Sequence, residues 1–310
     1  MNTKIYIIEA HKNPPQLKRL IEKLNDDLSY FYIHIDKKSN IEDFTKIISG
    51  KNINFLTTLV DCIWCDISQV EATVLMIEEV LKDKREGMVI LLSGQDYPIK
   101  SNQEISKFID ENIEYNFIDT VPVEINWKYT HKEKTQSYRF NLSSSRGDSI
   151  VFRKISKQSL KAFFKGTITL KQLLLLLKKR KLKLKIEQYG GSTWWAINTK
   201  SLKKMYDYIK ENKKALFSYF KYTYCPDEIF FHTIMQHLSE IDETVKNRPT
   251  FTYTNWNRGK ETFSSPVTFT EKNFEELTSQ PENKLLARKF DMENDSKILD
   301  MLDKYNTNIS

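Results

Sequence analysis

The chain has 310 residues, 40% hydrophobic and 29% charged, enough for one large folded domain with an ample core. With eight glycines and neither a G-x-G-x-x-G nor a Walker A sequence, it excludes a phosphate-cradling glycine loop. Its net charge of +7 favours an anionic partner, and Cys62 and Cys65 lack the second pair or nearby histidine that a zinc site needs.

Three cysteines, an odd number, lead us to expect reduced thiols and a cytoplasmic protein. No leader and no apolar run near 18 residues is recognisable, so we expect no membrane span. Residues 3–9 are β-branched and aromatic and read as a strand. The His11-Lys-Asn-Pro-Pro stretch breaks it, and residues 16–28 carry Leu17, Leu20, Ile21 and Leu24 at helical spacing. Residues 30–36 are a second strand that ends in polar residues from Asp36. Strand, helix and strand in this order predict parallel pairing with a right-handed crossover. Ligands of such sheets sit beyond the carboxyl ends of the strands, where His11 and Asp36 fall.

Residues 41–49 predict a short helix and 53–59 a third strand, with Trp64 in the following loop. A helix over 70–81 leads to the apolar strand 88–92, whose continuous hydrophobicity fits burial on both faces. Ser93-Gly-Gln-Asp96 then forms a second polar loop, and Ser101 with Glu104 predicts a capping box. Residues 115–120 read as a strand ending near Asp119. From Lys161 to Lys185 the chain is basic and leucine-rich. Two readings stand side by side: a helix and an edge strand with solvated lysines, or a patch resting on an anionic bilayer.

Trp194 and Trp195 lie on a strand after Gly190-Gly191, so only one of them lines a given face. A helix over 201–212 follows. Pro226 then opens a helix running to Leu238, with Asp227 and Glu228 in its first turn near unpaired N–H groups. On this stretch alone, both acids read as dipole complements. Residues 285–291 read as a last helix and basic turn, and 292–310 as a polar tail. We expect a single domain over 1–310: a nucleotide-binding half (1–110), an acceptor and catalytic half (111–250), and a C-terminal segment (251–291).

Four stretches together resemble glycosyltransferase family 14, the core-2/I-branching β-1,6-N-acetylglucosaminyltransferases and peptide O-xylosyltransferases. They are Tyr6-Ile-Ile-Glu-Ala-His11, Tyr32-Ile-His-Ile-Asp-Lys-Lys-Ser39, Leu91-Leu-Ser-Gly-Gln-Asp-Tyr-Pro-Ile-Lys100, and Gly191-Ser-Thr-Trp-Trp-Ala-Ile-Asn198 followed by Cys225-Pro-Asp-Glu228. The resemblance implies an α/β, GT-A-type fold (Rossmann-like, with a mostly parallel sheet), a UDP-sugar donor and inversion. It implies that Glu228 is the catalytic base, although Cys225 stands where the family has serine. Asp36 and Trp64 match positions at the uracil and ribose end, and Lys289 matches a lysine that meets the diphosphate. The family's partner arginine has no direct match; Arg258, Lys260 and Arg288 remain alternatives. His11, Ser93 and Asp96 fall on the donor side, and Asp119, Trp195 and Trp256 on the acceptor side.

For His11 and Asp96 the ordinary alternatives are a hydrogen-bonded loop histidine and a turn aspartate bonding its own backbone. His232, one turn after Glu228, either orients the carboxylate or is a core histidine. Direct displacement of UDP needs one base and charge relief on the leaving phosphates, supplied by a metal or by clustered Lys and Arg. Ser93-Gly-Gln-Asp96 is not Asp-x-Asp, and Arg288-Lys289 is basic. We therefore expect no cofactor and no metal. The expected partners are a UDP-sugar and a glycan or glycolipid acceptor, with N-acetylglucosamine ahead of xylose as the donor sugar. A non-catalytic binding protein on the same fold is the alternative. Nucleic acid is not expected, since no reader motif accompanies the charge.

Overall fold

The computed structural model describes residues 1–257 and 265–309. β1 (Thr3–Ala10), α1 (Pro14–Leu24) and β2 (Ser29–Ile35) form the crossover unit, with β1 and β2 parallel. α1 starts before the position its apolar spacing suggests. Two prolines that read as a breaker instead occupy its first turn, where a missing N–H is harmless, and Asn13 caps it by accepting from the Gln16 amide.

α2 (Ile41–Thr45) and β3 (Ile53–Phe55) are both shorter than expected, β3 being an edge strand. α3 (Ile67–Lys82) is capped by Asp66, and β4 (Gly87–Ser93) pairs in parallel with β1. β5 (Asp96–Pro98), α4 (Asn102–Asn112) and β6 (Tyr115–Phe117) follow, and the Ser101–Glu104 capping box forms.

The central sheet runs in the order Lys246–Arg248, β6, Ala196–Asn198, β4, β1, β2, β3. It is mostly parallel; Ala196–Asn198 runs antiparallel to both neighbours. Along β1, Tyr6 and Ile8 pack on the side of α1 and α4, and Ile5 and Ile7 on the side of α3, as the two-residue period of a strand requires. Burial on both faces explains the continuous apolar runs in β1 and β4.

Three expectations are corrected at the C-terminal side. Leu286–Arg288 is a strand, because it lies between Thr252–Thr254 and β5 in a three-stranded sheet. The tail contains the helix Lys297–Ile309, whose Ile298, Leu299 and Leu302 are buried in the α1-side core. Residues 178–188 form no edge strand. There Leu182 is buried, and Leu184 and Ile186 pack against the α3-side core instead of pairing.

Apart from the main sheet, the hairpin Tyr138–Asn141 with Ser149–Phe152 joins the helices Lys157–Phe164 and Leu170–Leu175 around a small apolar cluster of its own.

Candidate active site

The carboxyl ends of β1, β2 and β4 open on a cleft of about 800 Å³. Glu228 lies in its wall, but the local backbone differs from the expected continuous helix. Pro226–Glu228 is a 3-10 turn, Ile229 leaves helical geometry, and the α-helix spans Phe230–Ile241. Cys225 sits in left-handed geometry, its amide donates to the Cys65 carbonyl, and its sulfur is bonded to Cys65. The expectation of three reduced thiols is corrected: the fold brings together two cysteines 160 positions apart, leaving Cys62 free. The Pro-Asp-Glu turn is thereby tied to the loop that carries Trp64.

One oxygen of Glu228 lies 2.7 Å from Lys134 Nζ, and the lysine is almost wholly buried. That ammonium also faces the rings of Trp127, at 4.3 Å, and Tyr224, at 5.3 Å. Lys134 is the main residue missed by sequence reasoning. It lies in a charged stretch with no periodic signal, and only folding places it against residue 228.

Asp227 is more than the dipole acid expected. It is buried, accepts from Thr193 Oγ1 at 2.8 Å, and its carboxyl is pushed up to about 6 by burial and by Glu228. His232 does not orient Glu228; its Nε2 meets the Ser192 carbonyl at 2.8 Å. Burial pushes that imidazole down to about 4.

Gly190 and Gly191 pass close behind the turn, and the Gly191 amide donates to the Glu228 carbonyl. A Cβ on Gly190 would stand 2.3 Å from the Trp127 ring and 2.7 Å from the Glu228 carbonyl oxygen.

On the donor side, His11, Asp36, Trp64, Ser93, Arg288 and Lys289 all line the cleft. Asp36 is largely buried and accepts from the Lys38 amide; Trp64 is met by Arg146 at 4.7 Å and by the edge of Tyr224. Burial and Lys12 push the His11 imidazole down. Arg288 stacks on Trp194 at 4.0 Å, and Lys289 Nζ donates to Ser265 Oγ. Arg258 and Lys260, the other candidates for the missing arginine, lie outside the described residues.

Asp96 does not reach the cleft. It is fully buried, accepts from the amide and hydroxyl of Ser93 at 2.6 and 2.5 Å, and faces Arg288 Nε at 3.6 Å. Its place is the turn-aspartate alternative, extended by an ion pair that holds Arg288.

Of the acceptor-side residues, Trp256 is exposed at the mouth, and Asp119 lines the cleft while accepting from the amides of Ser192 and Thr250. Trp195 does not line it: it is 1% exposed and packs edge-on against Phe231 in the core. Trp194, in the segment leading into Ala196–Asn198, lines the cleft instead.

Glu9, at the end of β1, was also missed. It lines the cleft, accepts from Thr73 Oγ1 at 2.6 Å, and is pushed up to about 7, chiefly by burial. An acid directly after the apolar run Ile5–Ile8 was the readable signal. Among the described residues, no group of three or more His, Cys, Asp or Glu could hold a metal ion.

The family model for the core-2/I-branching enzyme matches residues 6–278. Xylosyltransferase 2 of Rattus norvegicus is 26% identical over 316 residues, covering 96% of this chain and 33% of its own length. Xylosyltransferase 1 of the same species is 25% identical over 308 residues, covering 94% and 34%. A xylosyltransferase of Ciona intestinalis is 25% identical over 253 residues, covering 79% and 26%. The chain thus spans about a third of the length of the curated relatives it matches. A solved structure described as a candidate glucose-1-phosphate thymidylyltransferase of Bacillus anthracis, in complex with sucrose, aligns at a TM-score of 0.30 and 11% identity. It covers 69% of this chain and 78% of its own, a likeness too weak to carry an argument.

Proposed function

The chain belongs to the core-2/I-branching enzyme family, and from that premise we propose that it is a glycosyltransferase moving a sugar from a UDP-sugar to a hydroxyl of a glycan or glycolipid. The observation that carries this reading is the placing of Glu228, beside Lys134, in one cleft with Arg288 and Lys289.

In the proposed reaction Glu228 takes the acceptor proton as the acceptor oxygen attacks the anomeric carbon from the face opposite UDP. The bond to UDP breaks with its electron pair, and configuration inverts. A positioned carboxylate contributes on the order of 10²–10⁴ in rate to such a step. Lys134 holds the carboxylate in place. Charge developing on the diphosphate meets Arg288 and Lys289, fixed donors that do the work a metal does elsewhere, so the proposal is metal-independent. Trp64, Asp36 and His11 form the nucleoside end, and Trp256 and Asp119 the acceptor end.

N-acetylglucosamine is the expectation from the family's branching enzymes, but the relatives named xylosyltransferases favour xylose as the donor sugar. A cytoplasmic location no longer has three reduced thiols behind it, because Cys65 is bonded to Cys225. The test is UDP release from UDP-xylose and UDP-N-acetylglucosamine, each with candidate glycan acceptors, with and without EDTA, for wild type and Glu228→Gln. Acceptor-dependent release that resists EDTA and is lost in the variant is expected. Undiminished transfer by Glu228→Gln overturns the base assignment, and restoration by manganese after EDTA overturns metal independence. Nucleotide-sugar binding without turnover would favour the binding-protein reading.

A further inference from the structure

Beyond the cleft, the chain's basic excess has one address. Between Ser149 and Ile186 stand ten lysines, two arginines and no acid, so a segment of +12 is set on a remainder of −5. Two short helices organise it. In Lys157–Phe164, Ser159 and Ala162 face inward, while Lys157, Leu160, Lys161 and Phe164 are exposed at helical spacing. In Leu170–Leu175 and the turn after it, Leu173 and Leu176 face inward, and Leu170, Leu174 and Leu177 are exposed with Lys171 and Lys178. Both helices close over one apolar cluster through Ala162, Ile168, Leu173 and Leu176. Their outward sides therefore belong to one small unit in which leucines and lysines alternate. Phe164 is 82% exposed and Leu177 67%.

We propose that this outward side docks on an anionic lipid surface, with the apolar side chains entering the headgroup boundary and the lysines meeting lipid phosphates. The pairing of exposed Phe and Leu with unopposed positive charge selects this partner. A nucleic acid would engage the lysines and leave the leucines in water. A second copy of the chain would bring +12 against +12. No helix among the described residues is long and apolar enough to cross a membrane, so the contact is peripheral.

The unit is also fastened to the catalytic side. Arg180 is buried and donates to the carbonyls of Lys134, at 2.8 Å, and Ser137, at 2.5 Å, while Tyr138 Oη donates to the Lys178 carbonyl at 3.1 Å. Docking would thus hold the segment bearing Lys134, and with it the Glu228 wall of the cleft, near the lipid surface. Only this last consequence rests on the proposed transferase reading; the docking itself does not.

The experiment is co-sedimentation of the full chain with phosphatidylcholine vesicles containing 0 or about 30% phosphatidylglycerol, at low and high salt. Two variants accompany it: Phe164→Ser/Leu174→Ser/Leu177→Ser and Lys161→Glu/Lys165→Glu/Lys171→Glu. Wild type should bind only the anionic vesicles, and both variants should lose at least tenfold in affinity with thermal unfolding unchanged. The result that overturns the proposal is no binding by wild type, equal binding to neutral vesicles, or retention by the serine variant. Tighter binding to duplex DNA than to anionic vesicles, unaffected by the serine substitutions, overturns it in favour of a polyanion. None of these readouts needs turnover, so failure here is distinguishable from failure of the transferase reading.

Discussion

Lys134 Nζ and Glu228 Oε2 stand 2.7 Å apart across 94 positions of sequence, the lysine sealed beneath Trp127 and Tyr224. The pair anchors one carboxylate oxygen of a residue that lines the cleft. Glu228→Gln is expected to lower kcat on the order of 10²–10⁴-fold. Lys134→Met should lower kcat by roughly 10²-fold through misplacement. Lys134→Arg should recover part of that loss. Steady-state kinetics of the three variants check the relationship; equal kcat for Lys134→Met and wild type would remove Lys134 from any positioning role.

Gly190→Ala tests the wall behind the turn. The added carbon meets an indole ring and a backbone carbonyl, and only the ring can move. Overpacking of this kind costs about 1–3 kcal/mol, read as a lower denaturant midpoint at unchanged slope. A midpoint equal to that of wild type would show that the Trp127 ring swings aside freely.

Arg288 and Lys289 are adjacent but should respond differently. Arg288→Ala leaves the fully buried Asp96 without its counter-charge, which costs about 3–5 kcal/mol of stability besides any loss of turnover. Lys289→Ala should cost less stability than Arg288→Ala while lowering kcat on the order of 10²-fold. Scanning calorimetry beside a turnover assay separates them. Equal stability losses in the two variants would contradict the assignment.

Glu9 gives a pH dependence with a definite sign. Its folded carboxyl titrates near 7 against an ordinary value of 4.5, so folding takes up a proton between those limits. Wild-type stability attributable to this group is therefore fully present below about 4.5 and is lost as pH rises to about 7. Glu9→Gln has no such loss. Its advantage over wild type should grow across that window to about 3 kcal/mol and stay level above it. Chemical denaturation at pH 4.5, 6 and 8 checks this; a constant difference would refute it.

The first half of the fold was legible because its signals are local. β1 and β4 are continuous apolar runs, Ser101 and Glu104 carry their own cap, and the polar loops fall where the parallel strands end. The lysine and leucine alternation of 181–186 misled for the same reason: a two-residue period makes a strand only where an open edge is available, and here the leucines found a core instead. The prolines of α1 and the strand Leu286–Arg288 misled likewise, since one residue type serves a break or a first turn, and one short apolar run serves helix or strand.

Glu228 shows the division most directly. Reading along the chain is enough to find a carboxylate after Cys-Pro-Asp and ahead of an apolar helix, in a chain whose ordered motifs point to one family. Those are properties of neighbouring residues, set by local backbone preference and side-chain period. Folding was needed to bring Lys134 to Glu228, to join Cys65 to Cys225, to pin Asp227 by Thr193, and to give the cleft Trp194 rather than Trp195. Each of these joins residues far apart in sequence or chooses between two adjacent side chains. Such outcomes depend on which surfaces the packed sheet leaves open, and no local pattern encodes that.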